Sequence, residues 1–133
     1  MARTRGTPLA VEQLVAQCAE LDSHKTPIYI EQEPGQSGVA QISHYQRNVL
    51  RGYAAYGERA TGPKELRAEP FAAAAEAGNV MLVRGPWNAA FLEEITQADG
   101  AHDDIRDACS LAFSKVAARH GNPPAATVMV RRG

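Results

Sequence analysis

Two short acidic groups carry the clearest chemistry in this chain. Glu31 and Glu33 close the run Pro27-Ile-Tyr-Ile-Glu-Gln-Glu33, which is β-branched, aromatic and alternating, so they fall at the carboxyl end of a strand. The loop Pro34-Gly-Gln-Ser-Gly38 follows at once and leaves room for a bulky substrate. A strand-end carboxylate in that position can ligate a metal or act as a general base. Spacing alone favours a plainer reading, two solvated acids on a strand leaving its sheet. The second group is His102-Asp-Asp-Ile-Arg-Asp107. Asp103 and Asp104 fall where an N-cap and first helical turn belong, and the helix dipole stabilises acids there by roughly 0.3–1 kcal/mol. Capping by itself explains that pair, yet three carboxylates within five positions exceed what one cap requires. Beside a strand-end Glu, such oxygens could hold hard divalent ions, and two ions about 3.5–4 Å apart suit in-line displacement at a phosphodiester. His102 is either an aid to proton transfer or a solvated loop histidine.

Between the acidic groups lies a moderately basic stretch with Arg47, Arg51, Arg59, Lys64, Arg67 and Arg84, opposed by Glu58, Glu65, Glu69 and Glu76. A small positive surface beside an acidic metal site is what a nuclease uses to hold the backbone it cuts. Solvated helix faces with i,i+4 pairs give the same tally. Other chemistries lack their motifs. No phosphate loop ends in Gly-Lys-Ser/Thr, and Gly35-Gln-Ser-Gly38 has the wrong spacing for a dinucleotide turn. That tetrapeptide reads as a tight turn, or as a backbone contact for phosphate. Ser37 lies between glycines but not in a Gly-x-Ser-x-Gly elbow.

The elements that position these residues follow from periodicity. Val11, Leu14, Val15, Cys18 and Leu21 recur at helical spacing over residues 8–21. The strand at 27–33 turns Ile28 and Ile30 one way and Tyr29, Glu31 and Glu33 the other. A helix is expected over 39–50, with Val39, Ile42, Tyr45 and Val49 inward, then a short strand at 53–56 and a loop at 57–63. Residues 64–77 read as a helix in which Pro70 marks a kink or a start. Gly78-Asn79 stops it, and Val80-Met-Leu-Val83 reads as a short buried strand. A helix over 86–96 places Trp87, Ala90, Phe91 and Ile95 on its apolar stripe, and 97–102 is a loop. The last helix begins at Asp103 or Asp104 and runs towards Arg119, with Ile105, Cys109, Ala112, Phe113 and Val116 inward. Residues 127–130 either add an edge strand or fray. Helix and strand alternate, so the expected class is α/β with a largely parallel sheet.

Composition agrees with one ordinary globular domain. The chain has 133 residues, 44% hydrophobic and 22% charged, with a net charge of −1. Bulk charge therefore does not hold it to DNA. No apolar run approaches the roughly 18 residues of a membrane span, and the first residues do not form a secretory signal. Cys18 and Cys109 fall on apolar stripes and read as buried thiols of a cytoplasmic protein.

Three tracts in order resemble the nuclease domain of phage large terminase subunits: Pro27-Ile-Tyr-Ile-Glu-Gln-Glu-Pro-Gly-Gln-Ser-Gly38, Arg67-Ala-Glu-Pro-Phe through Val-Arg-Gly-Pro-Trp87, and His102-Asp-Asp-Ile-Arg-Asp-Ala108. The similarity runs from about Thr7 to Val116. It implies a ribonuclease H-like three-layer fold with a mostly parallel, short sheet flanked by helices. It further implies cleavage of concatemeric viral DNA with two Mg²⁺ or Mn²⁺ ions during genome packaging. Of the family's three acid positions, one maps onto Glu31, with Glu33 as a substitute. Another maps onto Asp104, with Asp103 beside it. The position on the first strand has no counterpart, because nothing before Glu12 is acidic and residues 1–7 are too short for its hairpin. The resemblance thus implies an N-terminally truncated domain that lacks the ATPase domain too. The basic set Arg47, Arg51, Lys64, Arg67 and Arg84 would face double-stranded DNA. The alternative is a non-catalytic module that binds full-length terminase, another packaging protein or a second copy of itself through an exposed edge of the strand at 27–33. The expected core spans residues 7–119, with 120–133 as a tail.

Overall fold

Thr7 opens the first helix as its N-cap, its hydroxyl accepting the Ala10 N–H at 3.3 Å, and Pro8 supplies a fixed φ at the first helical position. The computed structural model describes residues 1–2, 4–97 and 104–120. They form two compact units, one of residues 2–60 and one beginning at residue 61 and including Met1.

In the first unit, α1 (Pro8–Asp22) precedes β1 (Ile28–Gln32), α2 (Gln36–His44), a π-helical turn over Tyr45–Val49, and β2 (Ala55–Arg59). The two strands pair in parallel, with Ile28 opposite Ala55 and Gln32 opposite Arg59. The expected alternation holds. Ile28 and Ile30 turn to a core of Ala19, Tyr45, Leu50 and Ala55, in which Leu50 is fully buried. α1 presents Ala19 to that core, while Leu21, assigned inward by periodicity, is exposed.

Two boundaries differ from the sequence reading. Residues 36–38, read as a turn, form the first turn of α2, because Gly35 at φ 88° lets the chain reverse directly into the helix. Gly38 sits against β1 so closely that a Cβ would lie 1.9 Å from the Glu33 carbonyl oxygen. The second strand lies at 55–59 rather than 53–56, because its register is fixed by pairing with β1 and by contact with α2. A Cβ on Gly57 would lie 2.8 Å from Ile42 of α2.

The second unit holds α3 (Lys64–Glu76), α4 (Asn88–Thr96) and α5 (Asp104–His120). Pro70 lies inside α3, which continues through it although a mid-helix proline costs roughly 3 kcal/mol. Packing against α5 offsets that cost: Phe71 meets Phe113 edge-on, with ring centroids 5.9 Å apart. The helix stops at Gly78, whose positive φ and N–H to Ala75 carbonyl, together with Asn79 N–H to Ala74 carbonyl, make a Schellman cap. Phe71, Phe91, Ile105, Cys109 and Phe113 form the core of this unit.

Residues 80–83 are not a strand. Val80 and Leu82 are half-buried against the core while Met81 and Val83 are exposed, so the strand-like alternation is present without a ladder partner. The strand expected there lacks a neighbouring strand among the described residues, and composition alone cannot supply one. Among the described residues the sheet accordingly has two strands, in the order β1-β2. Residues 98–103, 121–133 and Arg3 lie outside the described residues, including the expected loop at 98–102, the candidate Asp103 and the candidate strand at 127–130.

Candidate functional site

The two strands are short, and their register places side chains of equal rank side by side. Tyr29 stands opposite Tyr56 and Glu31 opposite Glu58. Partners in a parallel ladder project to the same face, about 4.8 Å apart. The face opposite the Ile28–Ile30 core therefore carries a stacked tyrosine pair, centroids 5.4 Å apart, followed by a carboxylate pair at the carboxyl ends of both strands. Glu31 is exposed and Glu58 half-buried. Glu58 was missed by reading the sequence, because residues 57–63 look like a loop. The signal was present in the repeated pattern Tyr-Ile-Glu at 29–31 and Tyr-Gly-Glu at 56–58.

Glu33 lies just beyond the end of β1, exposed, with its backbone carbonyl against Gly38. Asp104 is exposed at the first residue of α5. The start of α5 is served from elsewhere: Glu94 of α4, a buried carboxylate, accepts the Ile105 N–H at 2.9 Å. That bond meets one of the amides a helix start leaves open and lies on the positive end of the helix dipole. Glu94 follows Phe91 by three positions, so the helical period points to burial for it.

Asp107, third acid of the second group, faces α3. Its carboxylate pairs with Lys64 at 2.9 Å and approaches Arg67 at 4.0 Å. Two of the five basic residues assigned to DNA, Lys64 and Arg67, thus engage the α3–α5 contact. Arg47, Arg51 and Arg84 are exposed.

Elsewhere in the first unit, Glu12 of α1 lies 2.9 Å from His44 Nε2, and Asn48 donates to His44 Nδ1 at 2.9 Å. Burial, then the Glu12 carboxylate, push the Tyr45 phenol upward. In the second unit burial pushes the Cys109 thiol up to about 11.

As donors, Glu31 and Glu58 offer hard carboxylate oxygens of the kind Mg²⁺ and Mn²⁺ take. Among the described residues no group of three or more His, Cys, Asp or Glu side chains is arranged to hold a metal ion.

The family of the Terminase RNaseH-like domain matches residues 1–116. The chain belongs to the terminase RNaseH-like domain family. No curated protein and no solved structure matched it. Membership fixes a nuclease-type fold and a terminase role at the level of the family, and it accords with the α/β arrangement of the terminase domain described above. Among the described residues, no helix of the terminase domain is long and apolar enough to cross a membrane.

Proposed function

We propose that this terminase domain binds a divalent cation through Glu31 and Glu58 and acts on the phosphodiester backbone of double-stranded DNA in genome packaging. The pairing of two carboxylates at the carboxyl ends of adjacent parallel strands carries this reading. Strand ends are where α/β sheets gather ligands, and carboxylate oxygens are the donors a hard divalent ion takes. Asp104, with Asp103 beside it, is the further acid the family's pattern implies. Two-metal hydrolysis needs oxygen ligands for both ions, and the further acid contributes to that set.

The test is nicking of supercoiled plasmid with Mn²⁺ by the wild type and by Glu31→Ala, Glu58→Gln and Asp104→Ala. Metal-dependent nicking lost in all three supports the reading. Nicking that survives Glu31→Ala and Glu58→Gln overturns it.

One observation favours the second reading, a non-catalytic module that docks terminase or another packaging protein. Among the described residues β1 has a single strand neighbour, β2, which leaves its other edge for a docked strand. A folded wild type that neither nicks DNA nor is stabilised by Mn²⁺, yet binds a packaging protein, supports this second reading over the first.

A further inference from the structure

In the second unit α3, residues 80–82 and α4 line a groove of about 610 Å³. Ala68, Ala72 and Ala75 recur along α3 at spacings of four and three and supply one side of it. None of them carries more than a methyl group, so a partner's backbone can approach α3 closely. Met81 and Leu92 line the groove from the other two segments and are 61% and 50% exposed. Large apolar side chains exposed around a concavity mark an interaction surface rather than a solvated one.

The charge around this groove has one predominant sign. Glu65 and Glu69, one helical turn apart on α3, both line it and are exposed. Neither has a cationic partner among the described residues. Among the described residues that line the groove, Arg106 alone is cationic, and its guanidinium donates to the Gln97 carbonyl. The groove therefore offers apolar contact beside two carboxylates whose charge no neighbour offsets.

We infer that it docks an amphipathic helix of another protein, with apolar anchors inward and Lys or Arg on the flank that passes Glu65 and Glu69. From Glu65 to Ala75 α3 rises about 15 Å, the length of roughly three turns of a helix laid alongside. Cations at i and i+4 on that helix match the interval between Glu65 and Glu69. Exposed ion pairs of this kind add little affinity each, but an acidic helix placed there meets like charge and is rejected. The surface lies in the second unit, so the inference depends neither on metal binding and cleavage nor on the edge of β1.

Two synthetic peptides of about fifteen residues, long enough for marginal helicity, test it on the full chain. One carries Leu at helical spacing with Lys elsewhere, and the other has Glu in place of Lys. Fluorescence anisotropy of the labelled peptides gives affinity, and the Met81 methyl resonance gives location. The Leu/Lys peptide should shift Met81 and bind at least about tenfold more tightly than the Leu/Glu peptide, with the order reversed in Glu65→Lys/Glu69→Lys. Leu92→Asp and Met81→Asp should each weaken the Leu/Lys peptide at least about tenfold, although each adds a negative charge that by itself would attract it. Trp87, packed on Phe91, reports by fluorescence that the second unit is folded in each variant. Equal affinity for the two peptides overturns the inference. Binding that survives both aspartate variants also overturns it, because attraction by charge alone needs no groove. An unshifted Met81 means that no partner helix enters, and a dimeric mass that the peptide disperses assigns the groove to a second copy; both overturn it.

Discussion

Glu31 on β1 and Glu58 on β2 are direct partners in a parallel ladder, on the face that also bears the Tyr29–Tyr56 stack. The divalent ion proposed above would take its oxygen ligands from this pair. Added Mn²⁺ is expected to raise the thermal midpoint of the wild type in proportion to ln(1 + [Mn²⁺]/Kd). Glu31→Gln and Glu58→Gln should each flatten that dependence. A midpoint that responds to Mn²⁺ equally in wild type and both variants places the ion elsewhere.

The basic residues divide into two kinds. Lys64 is tied to Asp107, whereas Arg84 and Arg47 are exposed. Arg84→Ala and Arg47→Ala should each lower the slope of log K against log salt for duplex DNA by about 1, with little effect on folding. Lys64→Ala should leave that slope unchanged and lower stability by about 0.5–1 kcal/mol, the range of a partly exposed ion pair. Titrations at several salt concentrations separate the two outcomes.

Glu94 predicts a graded response. Glu94→Ala leaves the Ile105 N–H without its acceptor and should cost about 1–3 kcal/mol, while Glu94→Gln keeps an oxygen there and costs less. Trp87, stacked edge-on against Phe91 at 5.8 Å, reports unfolding of this unit by fluorescence. Equal losses in the two variants would mean that the acceptor is not what matters.

Gly38→Ala should destabilise the first unit by about 2 kcal/mol or more, because the new Cβ meets backbone rather than a movable side chain. Far-UV circular dichroism in urea gives the measurement. A midpoint within error of the wild type would show that α2 can shift away from β1 at no cost.

Cys109 links stability to alkaline pH. Its thiol titrates from 9.0 in a model thiol to about 11 in the folded chain, by burial. The unfolded thiol therefore loses its proton first, and the stability this group contributes is complete below about 9 and is lost as pH rises to about 11. Urea midpoints of wild type and Cys109→Ala at pH 8 and pH 10.5 should converge at the higher pH. A constant difference between them would contradict the linkage.

Much of this protein is local and was therefore legible in its residues. Thr7-Pro8 and Gly78-Asn79 set helix ends by chemistry confined to one turn, and Ile28-Tyr-Ile-Glu sets a strand with its acid at the end. Glu31 was legible as a candidate because it stands at the carboxyl end of that strand. What the sequence did not decide depends on neighbours distant along the chain. Glu58 joins Glu31 only because pairing with β1 and the close approach of Ile42 to Gly57 shift β2 onto residues 55–59. Asp107 and Lys64, assigned by type to metal and to DNA, meet each other because α3 packs along α5. Residues 80–83 have the composition of a strand, yet a strand requires a partner. Hydrogen-bond ladders and ion pairs belong to two segments at once, so only the tertiary structure determines which of them form.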